Sequence, residues 1–437
     1  MKMNYKNIVF FSVAALMMAA CKPKESENDY SAGALNLSNF VAIGGTSTSG
    51  YMDDALYREG QENSLGAILA KQFEIVGGGP FYQPLVSESS VGINAENLAQ
   101  LILGYKTDCL NATSLSPVRK ASAGDISLFS EDLYDAAKPF GNYGIPGFYM
   151  AYAFSPAYSN QNNFFKRMAS SNGASVIGDA LSSSPTFFSL YVGLDDILAY
   201  AKVGGKNTAL LTASQFQVLF SPIIDQVTSN VNQGIVSTLP DVTEMPYFNT
   251  IPYDGLNLDE ANAASLNAIY NPIGLSFVVG KNAFVIEDPS AGAFGVRQMV
   301  PGEKILLSVP LDSVKCNKMG SIFPLRDEFV LTLDEVNSIK NNTVLYNNYI
   351  TSKAAEKNIA LVETDDFYKS LSAGIVFNGI GLNPIFVSGG AYSLDGINLN
   401  PRGNALLANE FIKAINAKYK SPIPRVDATL FRGVIFP

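Results

Sequence analysis

The residues of this chain that could do chemistry are hydroxyls and carboxylates, because its 437 residues include no histidine. A hydroxyl-rich turn, Gly44–Gly50 (GGTSTSG), follows one apolar run, and Asp195 and Asp196 follow another. Thr46 or Ser47 could attack an ester, but a hydroxyl nucleophile needs an adjacent base to take its proton. Without an imidazole only a carboxylate could serve, and a carboxylate of ordinary pKa is a poor base near neutral pH. Taken alone, the turn could also be a flexible loop without catalysis.

The elements that must position these residues are those of an α/β fold. Short, largely apolar runs alternate with helical patterns, which is typical of a parallel sheet with helices on both faces. One helix is predicted over about 334–358, where Thr332 and Glu335 form a capping box ahead of an apolar stripe at helical spacing. A second helix is predicted over about 403–419. The predicted strands are Phe40–Gly44, Phe187–Gly193, Gly234–Leu239 and Ile359–Glu363.

The predicted organisation is a single domain over residues 36–437 with one insertion. Residues 240–319 are rich in Pro, Gly, Asn and Tyr and have only short apolar runs, so we interpret them as loops and short strands. Open α/β sheets bind ligands at the carboxyl ends of their strands, where such an insertion would form a wall or a lid. A composition of 47% hydrophobic and 16% charged residues supports a large core.

Four short motifs together resemble those of the SGNH (GDSL) ester hydrolases. In the first, the turn described above, Thr46 takes the position of the family's serine nucleophile. The second, NYGIPG (142–147), is similar to the family's N-x-G-x-x-G loop, in which Gly147 would donate a backbone N–H to the oxyanion. The resemblance covers about residues 36–437 and implies a three-layer α/β/α sandwich with a parallel sheet.

The third and fourth motifs contain further replacements. GLDD (193–196) matches the family's G-x-N-D, so Asp195 replaces the asparagine that donates to the oxyanion. An ionised carboxylate only accepts hydrogen bonds, and loss of one oxyanion donor costs about 3 kcal/mol. DGIN (395–398) matches D-x-x-H, so Asp395 fits the orienting acid and Asn398 replaces the histidine. An amide has no pKa near neutrality and cannot act as a general base.

The N-terminus has the pattern of a lipoprotein signal peptide over residues 1–20. A positively charged start precedes an apolar run, 8–20, that is too short to span a bilayer. Met18–Cys21 (MAAC) resembles a bacterial lipobox, which would make Cys21 the lipidated residue, with a plain secretory signal as the alternative. Residues 21–35 are predicted to be a tether. Their acidic run resembles the export signals of Bacteroidota surface lipoproteins, although an ordinary linker accounts for it equally well.

Charge and cysteine content restrict the partners and the compartment. The net charge of −9 argues against nucleic acid and anionic surfaces as partners. Cys109 and Cys316 could form a disulfide in an exported protein, or they could remain two free thiols.

No metal or cofactor is expected from the sequence. The chain lacks histidine and its cysteines are isolated, so it has no zinc motif. Asp53, Asp54, Asp195 and Asp196 could converge on a hard cation at the strand ends. We instead interpret Asp53 and Asp54 as solvated loop carboxylates.

Two functions follow from these patterns. The first is a catalytically inactive binding or scaffold subunit, anchored in the outer membrane and facing the periplasm or the cell surface. Its cleft, walled by Thr46, Gly147, Asp195, Asp395 and Asn398, would hold an acyl, acetyl or glycan group, and an outer-membrane β-barrel would be its partner. The second is a working esterase or acylhydrolase acting on lipid or acetyl-sugar esters. We favour the first function, because the nucleophile, the oxyanion donor and the base are all replaced.

Overall fold

The central sheet has five parallel strands, and further strands form separate two-stranded units. The computed structural model describes residues 30–437, of which 31–437 form one compact unit. The predicted signal peptide and Cys21 lie outside the described residues. The strands are β1 Phe40–Gly44, β2 Leu101–Thr107, β3 Thr113–Arg119, β4 Asn142–Gly144, β5 Phe187–Tyr191, β6 Gly234–Ser237, β7 Leu256–Leu258, β8 Gly280–Asn282, β9 Val285–Glu287, β10 Val296–Gln298, β11 Lys304–Ile305, β12 Val330–Leu331, β13 Ala360–Val362, β14 Ile375–Phe377 and β15 Ile380–Leu382.

The strand order of the central sheet is β4-β1-β5-β6-β13, so the direction of winding reverses between β1 and β5. These two strands pair in register from Phe40 opposite Phe187 to Gly44 opposite Tyr191. Every residue of both strands is buried, which shows that both faces of the sheet are covered. In open parallel sheets, ligands bind beyond the carboxyl ends of the strands at such a reversal. In this fold that place lies just after Gly44 and Tyr191.

Helices cover the sheet and complete the predicted three-layer α/β/α sandwich. They are α1 Thr46–Ser49, α2 Arg58–Glu62, α3 Leu65–Ile75, α4 Tyr158–Gln161, α5 Asn163–Lys166, α6 Val176–Ser182, α7 Leu194–Ala201, α8 Ala213–Asn230, α9 Pro246–Asn249, α10 Glu260–Tyr270, α11 Leu311–Cys316, α12 Leu333–Glu356, α13 Thr364–Ala373 and α14 Pro401–Tyr419. Helix α14 packs against α3 and β13, whereas α12 packs against α8 and β6. Within residues 30–437, no helix has the length and apolar character needed to cross a membrane.

The predicted helices and strands are confirmed, with small changes at their ends. The capping box of α12 is present, since Thr332 N–H donates to the Glu335 carboxylate at 2.7 Å and Glu335 N–H donates to the Thr332 hydroxyl at 3.4 Å. Strand β4 is not predicted, and treating the whole of NYGIPG as a loop is wrong. Three residues at the edge of a sheet are too few to show an alternating pattern.

The predicted insertion contains helix α10 and the antiparallel pairs β7–β8, β9–β10 and β11–β12. These elements pack around two small apolar clusters of their own. One cluster contains Phe284 and Leu325, and the other contains Leu266 and Phe277. Neither α10 nor the extension of this region to Leu331 is predicted from the sequence.

The hairpin formed by β2 and β3 is bonded to helix α11. A disulfide joins Cys109 at the hairpin tip to Cys316 at the end of α11. We call the hairpin, α11 and the bonds between them the clasp. Two ion pairs across the clasp join Lys315 to Asp108 at 2.8 Å and Lys106 to Asp312 at 3.4 Å.

Candidate functional site

The hydroxyl of Thr46 is hydrogen-bonded to the carboxylate of Asp195. Thr46 begins α1 directly after β1, and Asp195 lies in the first turn of α7, shortly after β5. The hydroxyl donates to Asp195 Oδ1, and the Thr46 backbone N–H donates to Asp195 Oδ2 at 2.9 Å. Within the described residues Ser47 has no such side-chain partner. The carboxylate thus binds both donors of Thr46 at the reversal of the strand order.

Gly147 completes this group through its backbone. Its N–H donates to Thr46 Oγ1 at 3.2 Å, and its φ of 72° is one that glycine adopts readily. The loop is held by Tyr158, whose hydroxyl donates to the Gly147 carbonyl at 3.2 Å, and by Asn162, which donates to the Pro146 carbonyl at 3.0 Å. The Gly147 N–H, which the motif predicts as an oxyanion donor, and the neighbouring Thr46 N–H are therefore already bound within the chain.

Gly45 leaves the space that the Asp195 carboxylate occupies. A Cβ at position 45 would lie 1.7 Å from Asp195 Oδ2, far inside van der Waals contact. The φ of Gly45 is −98°, so this glycine is required by the neighbouring carboxylate and not by a left-handed backbone.

Gly45→Ala should displace Asp195 from Thr46 and destabilise the fold. Because forcing an extra methyl into a close-packed site shifts its neighbours, the free energy of unfolding should fall by about 1–3 kcal/mol. Urea denaturation measures this loss. Gly173→Ala is the matched control, since a Cβ there would meet no atom within 4 Å. If both variants were as stable as the wild type, the packing argument would be wrong.

Burial raises the pKa of both carboxyls at the start of α7. Asp195 is 8% exposed, and burial raises its pKa to about 6 despite the hydrogen bonds from Thr46, which lower it. Burial raises the pKa of Asp196 to about 7, although the Met150 N–H that donates to it at 3.3 Å lowers its pKa. At neutral pH Asp195 is therefore mainly ionised and accepts hydrogen bonds without donating any.

Asp195→Asn should stabilise the protein more at neutral pH than at acidic pH. The folded pKa of Asp195 lies above its ordinary value, so its ionised form opposes folding. This cost is fully present above about pH 6 and is lost as the pH falls towards 3.8. The free energy of unfolding of the variant, relative to the wild type, should rise by up to about 3 kcal/mol across that window. Urea denaturation at both ends tests this, and an offset independent of pH would contradict it.

Asp395 and Asn398 form a second hydrogen-bonded group. Asn398 Nδ2 donates to Asp395 Oδ2 at 2.9 Å, and the Asn398 and Ile397 N–H groups donate to Oδ1 at 2.8 and 2.9 Å. The Asp54 N–H donates to Oδ2 at 3.2 Å. Four donors saturate the carboxylate. Asn398 is thus bonded to the acid, as a histidine would be, but its amide cannot accept a proton near neutral pH.

A short segment of the chain links the two groups. The Ser49 hydroxyl donates to the Thr46 carbonyl at 2.8 Å, and the Tyr51 N–H donates to the Ser49 hydroxyl at 3.2 Å. The Tyr51 hydroxyl donates to Asp54 Oδ1 at 3.0 Å, and the Asp54 backbone reaches Asp395. The five predicted positions therefore form two bonded groups that are joined through residues 49–54.

Asp53 and Asp54 occupy a tight turn in an uncommon backbone conformation. Met52 and Ala55 exchange both of their backbone hydrogen bonds across it, at 3.1 and 3.3 Å. The two aspartates have φ values of 52° and 53°. Positive φ at both central residues is characteristic of a type I′ turn, which favours Asn-Gly.

The interpretation of Asp53 and Asp54 as solvated carboxylates is wrong. Asp53 is buried and accepts hydrogen bonds from the Tyr57 hydroxyl at 2.6 Å and the Leu394 N–H at 2.8 Å. Asp54 forms an ion pair with Arg119 at 2.5 Å, a contact that no sequence signal indicates. The four carboxylates considered for a cation site are thus bound separately, and residues 30–437 contain no cluster of three or more potential metal ligands.

An open cleft of about 440 Å³ lies beside the second group. Asp395 and Asp54 line it, whereas Thr46, Gly147, Asp195 and Asn398 are not among its lining residues. The five predicted positions therefore do not all line this cleft. The remaining walls come from the clasp, the insertion and the segments around Phe386 and Leu394.

Comparisons with known proteins give likeness of structure alone. No established family profile matches the sequence, and no curated protein matches it significantly. Similar solved structures include an α/β hydrolase enzyme from the metagenome of Lake Arreo, with 9% identity and a TM-score of 0.34 over 88% of this chain and 97% of that chain. An acetyl-xylooligosaccharide esterase from Geobacillus has 9% identity and a TM-score of 0.29 over 63% and 71%. A lipase/acylhydrolase from Enterococcus faecalis has 11% identity and a TM-score of 0.32 over 89% and 98%. At these values nothing about the activity of this chain follows from them.

Proposed function

We propose that this protein is a non-catalytic, lipid-anchored protein of SGNH-like fold that acts as a binding or scaffold subunit at the outer membrane. The closed group around Thr46 carries the proposal. The Asp195 carboxylate binds the N–H and O–H of Thr46, and Thr46 Oγ1 binds the N–H of Gly147. An ester carbonyl at this site would find these donors occupied and would face an ionised carboxylate, which opposes the charge of a tetrahedral intermediate.

The second group adds an independent barrier to hydrolysis. Acyl transfer needs a group that takes the proton of the nucleophile and returns it to the leaving group. Asn398 occupies the histidine position and uses its amide as a donor to Asp395. Since the chain has no histidine, no imidazole elsewhere replaces it.

Labelling with a fluorophosphonate probe tests the absence of activity. The soluble chain lacking residues 1–21 should neither label nor hydrolyse a panel of short-chain to long-chain esters above background. Labelling that disappears on Thr46→Ala would overturn the proposal. Labelling that survives Thr46→Ala but is lost on Ser47→Ala would identify Ser47, and not Thr46, as the nucleophile.

The proposed location depends on the N-terminal sequence. A lipobox at Cys21 supports anchoring, and a polar tether supports a folded domain held near the membrane surface. An outer-membrane β-barrel is the partner proposed from this location. Affinity purification of the lipidated protein from membranes should recover such a barrel, and recovery of none would remove the partner from the proposal.

A working esterase is the second candidate, and one observation favours it. The Thr46 hydroxyl donates to Asp195, whose pKa is raised to about 6, so a nucleophile and a carboxylate base lie within hydrogen-bond reach. In this case Asp195 would accept the proton of Thr46 as the hydroxyl attacks the ester carbonyl and would return it to the departing alcohol oxygen. Water would then hydrolyse the acyl ester formed on Thr46. Hydrolysis would then rise with pH through about 6 and disappear in both Thr46→Ala and Asp195→Asn.

A further inference from the structure

The cleft beside Asp395 is open to solvent and is lined about equally by apolar and polar side chains. Its volume of about 440 Å³ falls within the range of small-molecule sites. Apolar side chains reach it from three parts of the chain: Leu101 and Pro117 from the hairpin, Leu307 and Leu311 from the insertion, and Phe386 and Leu394 from the C-terminal part. A ligand with an apolar body fits such a wall.

The clasp fixes the distance between two of these walls. The hairpin lines one side and the residues around the start of α11 line another, and the bond between Cys109 and Cys316 joins them covalently. Cross-linked walls lose little conformational entropy when a ligand binds, which favours binding by a preformed site.

Most charges that line the cleft are already satisfied within the chain. Arg119 is paired with Asp54 at 2.5 Å, and Lys106 is paired with Asp312 at 3.4 Å. Asp395 accepts hydrogen bonds from four N–H groups and has no acceptor capacity left.

Two opposite charges in the lining remain available. Glu96 and Lys202 are exposed and line the cleft. Over residues 30–437, neither has an oppositely charged group within 4 Å, and neither charged group takes part in a hydrogen bond within the chain. The two charges line one cleft without being paired to each other or to another described group.

The charge pattern selects among ligand classes. A simple anion would satisfy Lys202 and leave Glu96 unpaired, whereas a simple cation would do the reverse. A neutral apolar molecule would gain nothing from either charge, because both exposed side chains can keep their charged ends in water. A molecule with both charges and an apolar body satisfies the two side chains and the wall together.

We propose that this cleft binds a small apolar zwitterion, of the class of apolar amino acids and short apolar peptides. Its ammonium group binds Glu96, its carboxylate binds Lys202, and its side chains pack on the apolar wall. The inference rests on the proposed function to the extent that the cleft serves binding and not turnover.

Calorimetric titration with three related peptides tests each charge separately. The probes are leucyl-leucine, N-acetyl-leucyl-leucine, which lacks the ammonium, and leucyl-leucinamide, which lacks the carboxylate. Leucyl-leucine should bind about two- to five-fold more tightly than either blocked peptide, because each blocked peptide loses one charge pair at an exposed site. Glu96→Gln should abolish the preference for a free ammonium only, and Lys202→Gln the preference for a free carboxylate only. Lys206→Gln, an exposed lysine outside the cleft, is the matched control and should bind as the wild type does.

Two results would overturn the zwitterion site: equal binding of all three peptides, or no heat of binding for any of them. The titration reads binding directly, so its failure is distinguishable from failure of the proposed function. Ester hydrolysis by the wild type would refute the non-catalytic role, whether or not the peptides bind. A protein that neither hydrolyses esters nor binds the peptides would refute only the zwitterion site.

Discussion

The variant Thr46→Ser/Asp195→Asn/Asn398→His should hydrolyse short-chain esters that the wild type leaves intact. The asparagine at position 195 would replace the carboxylate that binds Thr46 and would return an amide donor to the oxyanion site. The histidine at position 398 would lie next to Asp395 as a general base. A positioned base contributes about 10²–10⁴-fold and an oxyanion donor about 10²–10³-fold. Because such groups act together, their effects do not multiply, and we expect a gain of at least about 10³-fold.

Two single changes control this experiment. Asn398→His alone should stay near the wild-type rate, because Asp195 still binds the Thr46 donors. Asp195→Asn alone should also stay low, since no base is present. Hydrolysis of p-nitrophenyl acetate measures all four proteins. A folded triple variant without activity would show that these three replacements alone do not explain why the wild type fails to hydrolyse esters.

Removing the clasp disulfide should cost much of the stability of the fold. Cys109 and Cys316 are separated by 207 residues, so their bond strongly restricts the unfolded chain. The chain-entropy estimate for so long a loop gives a loss of about 5 kcal/mol in the free energy of unfolding for Cys109→Ser/Cys316→Ser. Urea denaturation of the oxidised wild type and the double variant measures it.

Reduction of the wild type provides the control for that loss. Dithiothreitol should lower the stability of the wild type to that of the double variant and should leave the double variant unchanged. Lys315→Gln removes only one of the two ion pairs of the clasp, the one with Asp108, and should cost less than about 1 kcal/mol. Equal stability of the oxidised wild type and the double variant would contradict the expected role of the cross-link.

The parts of the fold that the sequence predicts are those with a local pattern. β1 and β5 are largely apolar runs because both faces of the sheet are covered, and α12 shows its capping box and buried stripe within one segment. The bonded pair of Asp395 and Asn398 is also local, since the two residues are three positions apart in the sequence. Motif spacing is enough to predict such contacts, because the two residues lie only a few positions apart in the sequence.

The contacts that decide the chemistry of the site have no local pattern. Thr46 and Asp195 are 149 residues apart, and Asp54 and Arg119 are 65 apart. A replaced motif position shows that Asp195 cannot act as an amide donor, but not that its carboxylate turns onto Thr46. That orientation is possible because Gly45 has no Cβ and leaves room for the Asp195 carboxylate. The need for this room is visible only when the ends of β1 and β5 lie side by side. The sequence alone also leaves open whether Cys109 and Cys316 are bonded, because they are 207 positions apart and meet only in the folded chain.

The type I′ turn ties two distant parts of the chain to adjacent residues. The Leu394 N–H donates to the Asp53 carboxylate, and the Asp53 N–H donates to the Ser393 hydroxyl. The neighbouring Asp54 forms an ion pair with Arg119 of the hairpin. A displacement of either part can therefore reach the other through a single peptide unit. In native-state hydrogen exchange, the base of the hairpin and residues 393–398 should open as one cooperative unit. Both segments border the cleft, so a ligand bound there would slow amide exchange in both of them together. The segment that contains Asp395 would therefore be more rigid when the cleft is occupied.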